Sequence, residues 1–172
     1  MQWFGLTENQ VEAVMNNIFL GSEICEVETD GSVAIPAFLK DAIPGDTPEI
    51  LVAKHESDAC LIGYGRDHLV ALAERNERRR LAGEARGEDA CAHYHRMRRT
   101  FALTDRMRRD AARITIPAAM RHLGRIGRHA LFVGTGDSFE IWNPELAMQS
   151  DDEQFRDLAA FRMEALGADG VH

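Results

Sequence analysis

The chain is short of cysteine, of proline and of long apolar runs. Its 3 cysteines stand at 25, 60 and 91 in 172 residues. An odd number of widely spaced thiols does not make a disulfide framework, and it predicts a chain kept in the reducing cytoplasm. No apolar run approaches the roughly 18 residues of a membrane span, so no membrane partner is expected. The first residues lack the basic-then-apolar pattern of a secretory signal. Catalytic patterns are missing too. No serine stands in G-x-S-x-G, and no Ser–His–Asp set can be picked out. Gly134-Thr135-Gly136 has neither the Lys-Ser/Thr of a phosphate loop nor the later glycine of a dinucleotide fingerprint, so it reads as a turn. Cys91-x-His93-x-His95 is the one cluster resembling metal ligands. Cys91 and His95 are i, i+4 on a helix, but no further ligand has metal-like spacing, so they read as ordinary helix residues. The expectation is a protein that is not an enzyme, with no metal, no cofactor and no small-molecule substrate.

Positive charge is also short overall: 20 bases face 28 acids, a net charge of −8. That sum argues against simple nucleic-acid binding, but its distribution does not. Between Arg75 and Arg128 there are 15 arginines and 6 acids, and the remainder holds 5 bases and 22 acids. Such asymmetry marks either a surface for DNA or a basic face that pairs with acidic segments of a neighbouring subunit.

What the chain does have is a repeat. Ile114, Thr115 and Ile116 form a β-branched run that ends at Pro117, where a strand should stop. Pro117 suits a first helical residue, and Ala118, Ala119, Met120 and Arg121 are good helix formers. Gly124 and Gly127 break that helix. Ala130–Val133 and Phe139–Trp142 then read as two strands joined by hairpin residues 134–138. The same pattern occurs 81 residues earlier, where Val33-Ala34-Ile35-Pro36-Ala37-Phe38-Leu39-Lys40 matches Ile114 to Arg121. The same offset carries Leu51-Val52-Ala53 onto Phe132-Val133-Gly134, and Cys60-Leu61-Ile62 falls close to Phe139–Trp142. A strand–helix–strand–strand unit written twice predicts two half-domains about a pseudo-twofold axis.

The unit resembles the MraZ family, whose two halves each carry D-x-x-x-R, usually D-x-x-G-R, before a strand ending in I-P or V-P. The residues that carry the resemblance are the two I-P-x-x-(L/M)-(R/K) segments and Phe139-Glu140-Ile141-Trp142, with Asn143-Pro144-Glu145 after it. It covers about residues 19 to 148. The resemblance implies an α+β swapped-hairpin fold of the AbrB type, a tandem pseudo-twofold β-barrel-like core with flanking helices. It also implies a ring-shaped homo-oligomer that binds double-stranded DNA at direct repeats near promoters. Its known role is regulation of the cell-division and cell-wall gene cluster, in the cytoplasm and on the nucleoid. In the second half Arg113 sits at the motif arginine, Arg109 at the aspartate and Ala112 at the glycine. In the first half Glu28 and Gly31 keep the acid and the glycine, but Ser32 replaces the arginine. A serine cannot make the forked contact to phosphate or guanine. DNA binding is therefore expected mainly through the second half, by Arg113 and by Arg106, Arg108 and Arg109 nearby. The alternative for Arg113 is closing a turn, bonded to its own loop or to Glu28 of the other half. The alternative for the whole chain is a degenerate scaffold that still assembles but no longer binds DNA specifically.

The remaining segments divide as follows. Residues 1–18 read as an added helix, with Thr7 and Gln10 at capping-box spacing. The first half then occupies 19–83, a connecting helix 84–99, the second half 100–148, and a C-terminal helix and tail 149–172. Within these, the pattern predicts a helix over Arg66–Leu81 broken by Gly83–Gly87, a strand over Thr100–Met107, and a last helix ending at Gly167.

Overall fold

The computed structural model describes residues 18–43 and 50–169. The helix expected over 1–18, Ile18 apart, residues 44–49 and the tail beyond 169 lie outside the described residues. The elements in order are β1 (Ser22–Glu26), β2 (Ser32–Ala34), α1 (Ala37–Ala42), β3 (Ile50–Lys54), β4 (Leu61–Tyr64), α2 (Arg66–Ala85) and α3 (Ala90–Met97). A π-helical turn (Arg98–Ala102) leads into β5 (Thr104–Arg109), β6 (Arg113–Thr115), α4 (Ala118–Leu123), β7 (His129–Gly134), β8 (Phe139–Trp142), α5 (Pro144–Ala147) and α6 (Glu153–Asp169).

The strands form where β-branched and aromatic residues cluster, and all their pairings are antiparallel. Their order in the sheet is β1-β7-β8-β4-β3-β5-β6-β2. The outer strands meet where Glu28 N–H donates to the Ser32 carbonyl at 2.9 Å, so the sheet curls into a nearly closed barrel. The halves exchange strands: β1 pairs with β7 of the second half, and β5 pairs with β3 of the first. The repeat-equivalent strands β2 and β6 pair with each other, with Val33 opposite Ile114. Two bonds that extend this ladder are the same bond written twice: Ile116 N–H to Gly31 C=O at 2.9 Å and Ile35 N–H to Ala112 C=O at 3.0 Å. The pseudo-twofold axis therefore passes between β2 and β6, and the fold is an α+β barrel with flanking helices.

Inward positions alternate along each strand, as the pleat requires. Val33, Val52, Leu61, Met107, Ile114, Phe132, Phe139 and Ile141 fill the barrel with Leu39 of α1 and Met120 of α4. Each half then buries part of its outer wall under a helix. Leu69 and Leu72 of α2 lie over Leu51, Ala53 and Tyr64. Phe155 and Ala159 of α6 lie over Leu131 and Trp142, with the Trp142 and Phe155 rings 5.1 Å apart. Fully burying one such large apolar side chain contributes about 1.5–3 kcal/mol.

Several expected boundaries move. Leu51 stands opposite Tyr64 as Leu131 stands opposite Trp142, and Leu51 and Leu131 both face outward. The equivalent of Leu51 is therefore Leu131, one residue short of the match given by the constant offset. A one-residue slip in a strand reverses every side chain, so burial decides the register. β5 begins at Thr104, not Thr100, because Thr100 is buried in a helical turn. There its hydroxyl accepts from Asn76 Nδ2 at 2.9 Å and donates to the Arg96 carbonyl at 3.0 Å. α2 runs through Gly83 to Ala85, and α6 passes Gly167. A glycine inside a helix costs only about 1 kcal/mol, which packing readily offsets. Pro36 and Pro117 take the N-cap position, not the first helical one, with ψ of 142° and 146°. Their backbone continues the extended strand, and helical geometry begins at the next residue.

Candidate nucleic-acid interface

β5, the turn after it and β6 carry four of the arginines that the sequence singles out. Strand alternation sorts them. Arg109 lies opposite inward-facing Ile114, and Arg108 lies opposite Thr115. Arg106, Arg108, Arg113 and Thr115 therefore share the outer face, and Ser32 joins them through its pairing with Thr115. Met107, between the two outward arginines, is 2 % exposed and anchors the strand in the core. Arg109 leaves the group. Its side chain reaches toward the other half, where Nη2 is 3.5 Å from the Ile43 carbonyl, at the limit of a hydrogen bond.

The turn between β5 and β6 is built on Asp110. Its carboxylate accepts from the backbone N–H of Ala112 at 2.9 Å and of Arg113 at 2.8 Å. Those bonds hold the Asp110 carboxyl below the usual carboxylate range. The first-half turn is similar: Asp30 accepts from Ser32 N–H at 2.8 Å and is shifted down by that bond. The two turns differ in length. Glu28 N–H closes the first onto the Ser32 carbonyl, and Asp110 N–H closes the second onto the Arg113 carbonyl. Asp110, not Arg109, thus stands where Glu28 stands in the first half. The second turn is one residue shorter, which a fixed spacing of four residues cannot see.

Arg113 is engaged across the axis. Its guanidinium donates to Ser32 Oγ at 3.1 Å (Nη2) and 3.3 Å (Nε), and to the Ser32 carbonyl at 3.3 Å. Glu28 Oε1 lies 3.5 Å from Nη2, and the Arg113 side chain is 39 % exposed. The contact with Glu28 is the turn-closing role set beside DNA contact above. Ser32 and Arg113 are repeat equivalents, so the arginine leans on its own counterpart in the other half. The two halves are also joined by a brace that the sequence did not single out. Arg121 of α4 crosses to the first half and donates to the Thr29 carbonyl at 3.3 Å. Among the described residues Arg108, exposed on the outer face, has no ion-pair partner.

Elsewhere, His55, Asp58 and Glu140 bring ligand atoms within 4.8 Å of one another. They do not fit a metal. His55 Nδ1 already accepts from the N–H groups of Ser57 at 3.2 Å and Asp58 at 2.9 Å, which leaves the proton on Nε2, toward Glu140 at 3.9 Å. A histidine ligand needs its second nitrogen to donate, and here that nitrogen faces two donors. Cys91 Sγ lies 3.6 Å from His95 Nε2, and among the described residues no third ligand joins them. Cys25 and Cys60 are buried thiols. Burial, with Glu23 beside it, pushes Cys25 up to about 12, and burial likewise pushes Cys60 up. No helix among the described residues is long and apolar enough to cross a membrane.

No protein-family model matches the chain. Among characterised proteins it is 30% identical over 151 residues to the transcriptional regulator MraZ of Nocardia farcinica, covering 87% of this chain and 98% of that one. It is 29% identical over 150 residues to the MraZ of Saccharopolyspora erythraea, covering 87% and 97%. It is 30% identical over 128 residues to the MraZ of Chromobacterium violaceum, covering 73% and 80%.

Proposed function

The chain belongs to the MraZ family, and on that premise we propose that it is a transcriptional regulator that binds double-stranded DNA sequence-specifically through its second half. The observation that carries the reading is the outward face of β5 and β6. Arg106 and Arg108 stand on one strand face, with Arg113 beside them on the next strand, on the barrel wall. An arginine fork suits both phosphate oxygens and the guanine edge. Arg108 is the centre of this surface, and Arg113 contributes the exposed part of its guanidinium while leaning on Ser32. Arg109 supplies charge behind the face.

A single module of this size gives non-specific binding of only about 10⁻⁴–10⁻⁶ M at physiological salt. A ring-shaped homo-oligomer places several copies on several direct repeats and multiplies that affinity. The reading extends to promoter-proximal repeats, to genes of cell division and the cell wall, and to a protein found on the nucleoid in the cytoplasm. It requires no catalysis.

A second reading rests on the bonds from Arg113 to Ser32 and Glu28. They occupy the motif arginine within the fold, as a scaffold that assembles without reading DNA would do. Fluorescence anisotropy separates the two, using labelled DNA with promoter-proximal direct repeats against scrambled DNA. We expect selective binding by the native chain. Arg108→Ala should weaken it about tenfold or more, since such a contact is worth about 1–3 kcal/mol. Binding no tighter to the repeats than to scrambled DNA sinks the first reading and leaves the second.

A further inference from the structure

We propose that the cavity between α2 and the barrel wall binds a small organic phosphate, a doubly charged head carried on an apolar body. This goes beyond the DNA reading and does not rest on it. The cavity holds about 310 Å³, at the lower end of the roughly 300–1,000 Å³ of small-molecule sites. Its apolar lining comes from Ile62, Tyr64 and Leu72, and its charged lining includes Arg75 of α2 and Arg99 of the π-helical turn.

The charge balance of the lining favours an anion. The cations Lys54, Arg75 and Arg99 outnumber its two acids, Glu56 and Asp137, and Glu56 is already paired with Arg79 at 3.3 Å. Arg75 and Arg99 have no ion-pair partner among the described residues. Arg75 and Arg99 are exposed residues of the lining, so they bring two uncompensated cations to a cavity with an aromatic and aliphatic wall. A phosphate on a ring needs both: forked donors for the oxygens and a surface for the body. Short π-helical turns recur at functional sites, and this one presents Arg99 while Thr100 holds its backbone. The wall also connects to the outer face described above. Thr104 at the start of β5 donates to the Thr100 carbonyl at 2.6 Å, and the Tyr64 hydroxyl lies 3.5 Å from its Oγ1. A bound phosphate would therefore press on the segment that sets β5 and its outward arginines.

The test is isothermal titration calorimetry on the full chain without DNA, with phenyl phosphate and inorganic phosphate as probes. We expect saturable binding of one phenyl phosphate per chain, with inorganic phosphate weaker because it leaves the apolar wall uncovered. Arg75→Gln and Arg99→Gln should each weaken phenyl phosphate about tenfold. Arg78→Gln, on the same helix but outside the cavity lining, should leave it unchanged. Inorganic phosphate binding as tightly as phenyl phosphate would overturn the organic class and identify free phosphate as the source. No saturable heat with either probe, or an equal loss in Arg78→Gln, overturns the site itself. Because no DNA is present, failure here is separate from failure of the regulator reading.

Discussion

At the scale of single residues, the turn before β6 shows how one carboxylate sets the candidate surface. Asp110 accepts two backbone N–H bonds and thereby aims Arg113 across the axis. Its role was hidden in the sequence because a spacing of four residues before Arg113 lands on Arg109. The contrast between Ser32 in the first half and Arg113 in the second was legible, because it is a difference of residue type at equivalent places in the repeat. The consequence, that Arg113 reaches over to Ser32, depends on the pairing of β2 with β6 and could not be read from spacing. Asp110 has a folded pKa below its unfolded value of about 3.9. The fold therefore favours the charged form. Its contribution to stability is present above about pH 4 and is lost as pH falls through the folded pKa. Comparing the thermal midpoints of the native chain and Asp110→Ala from pH 7 to pH 3 should show a gap that narrows below pH 4. A gap unchanged across that range would mean that the turn does not depend on the carboxylate charge.

Elements were legible where local pattern alone makes them. The two hairpins β3–β4 and β7–β8 form where short apolar runs flank turn residues, and α4 follows its proline. The π-helical turn was not legible, since it depends on Thr100 meeting Asn76, 24 residues away on α2. The close pairing of β2 and β6 depends on Gly31, whose φ is +88°, a conformation that costs other residues about 1–2 kcal/mol. A Cβ there would also lie 2.6 Å from the Ile116 carbonyl oxygen of the other half. Gly136 provides the control, because its φ is +90° but a Cβ would meet nothing within 4 Å. Gly31→Ala should therefore destabilise by clearly more than Gly136→Ala in urea titrations, the second losing about 1–2 kcal/mol for backbone conformation alone. Equal losses would show that β2 can draw away from Ile116 freely, and the tight contact at the axis would not be a constraint on the fold.

At the scale of the whole molecule, the repeat announced two halves but not how they interlock. β1 could pair within its own half or cross to β7, and both choices satisfy the same local pattern. The burial of Phe132 and Phe139 beside Val33 and Ile114 in one core decides for crossing, because two separate small barrels would each have too little core. The same scale decides how the outer arginines work. Each Lys or Arg contact to phosphate releases a counterion, so the slope of log K against log salt counts the contacts engaged at once. If a ring brings several copies to one DNA molecule, Arg108→Ala removes a contact in every engaged copy. The slope should then fall by about 1 per copy, a total well above 1. Light scattering should accompany it and give a mass several times the 19.2 kDa chain. A slope change of about 1 with a multimeric mass would mean that a single copy touches DNA, and affinity would then have to come from base contacts within one half. A monomeric mass would remove the avidity argument, and with it the means by which one proposed arginine half-site per chain could select its repeats.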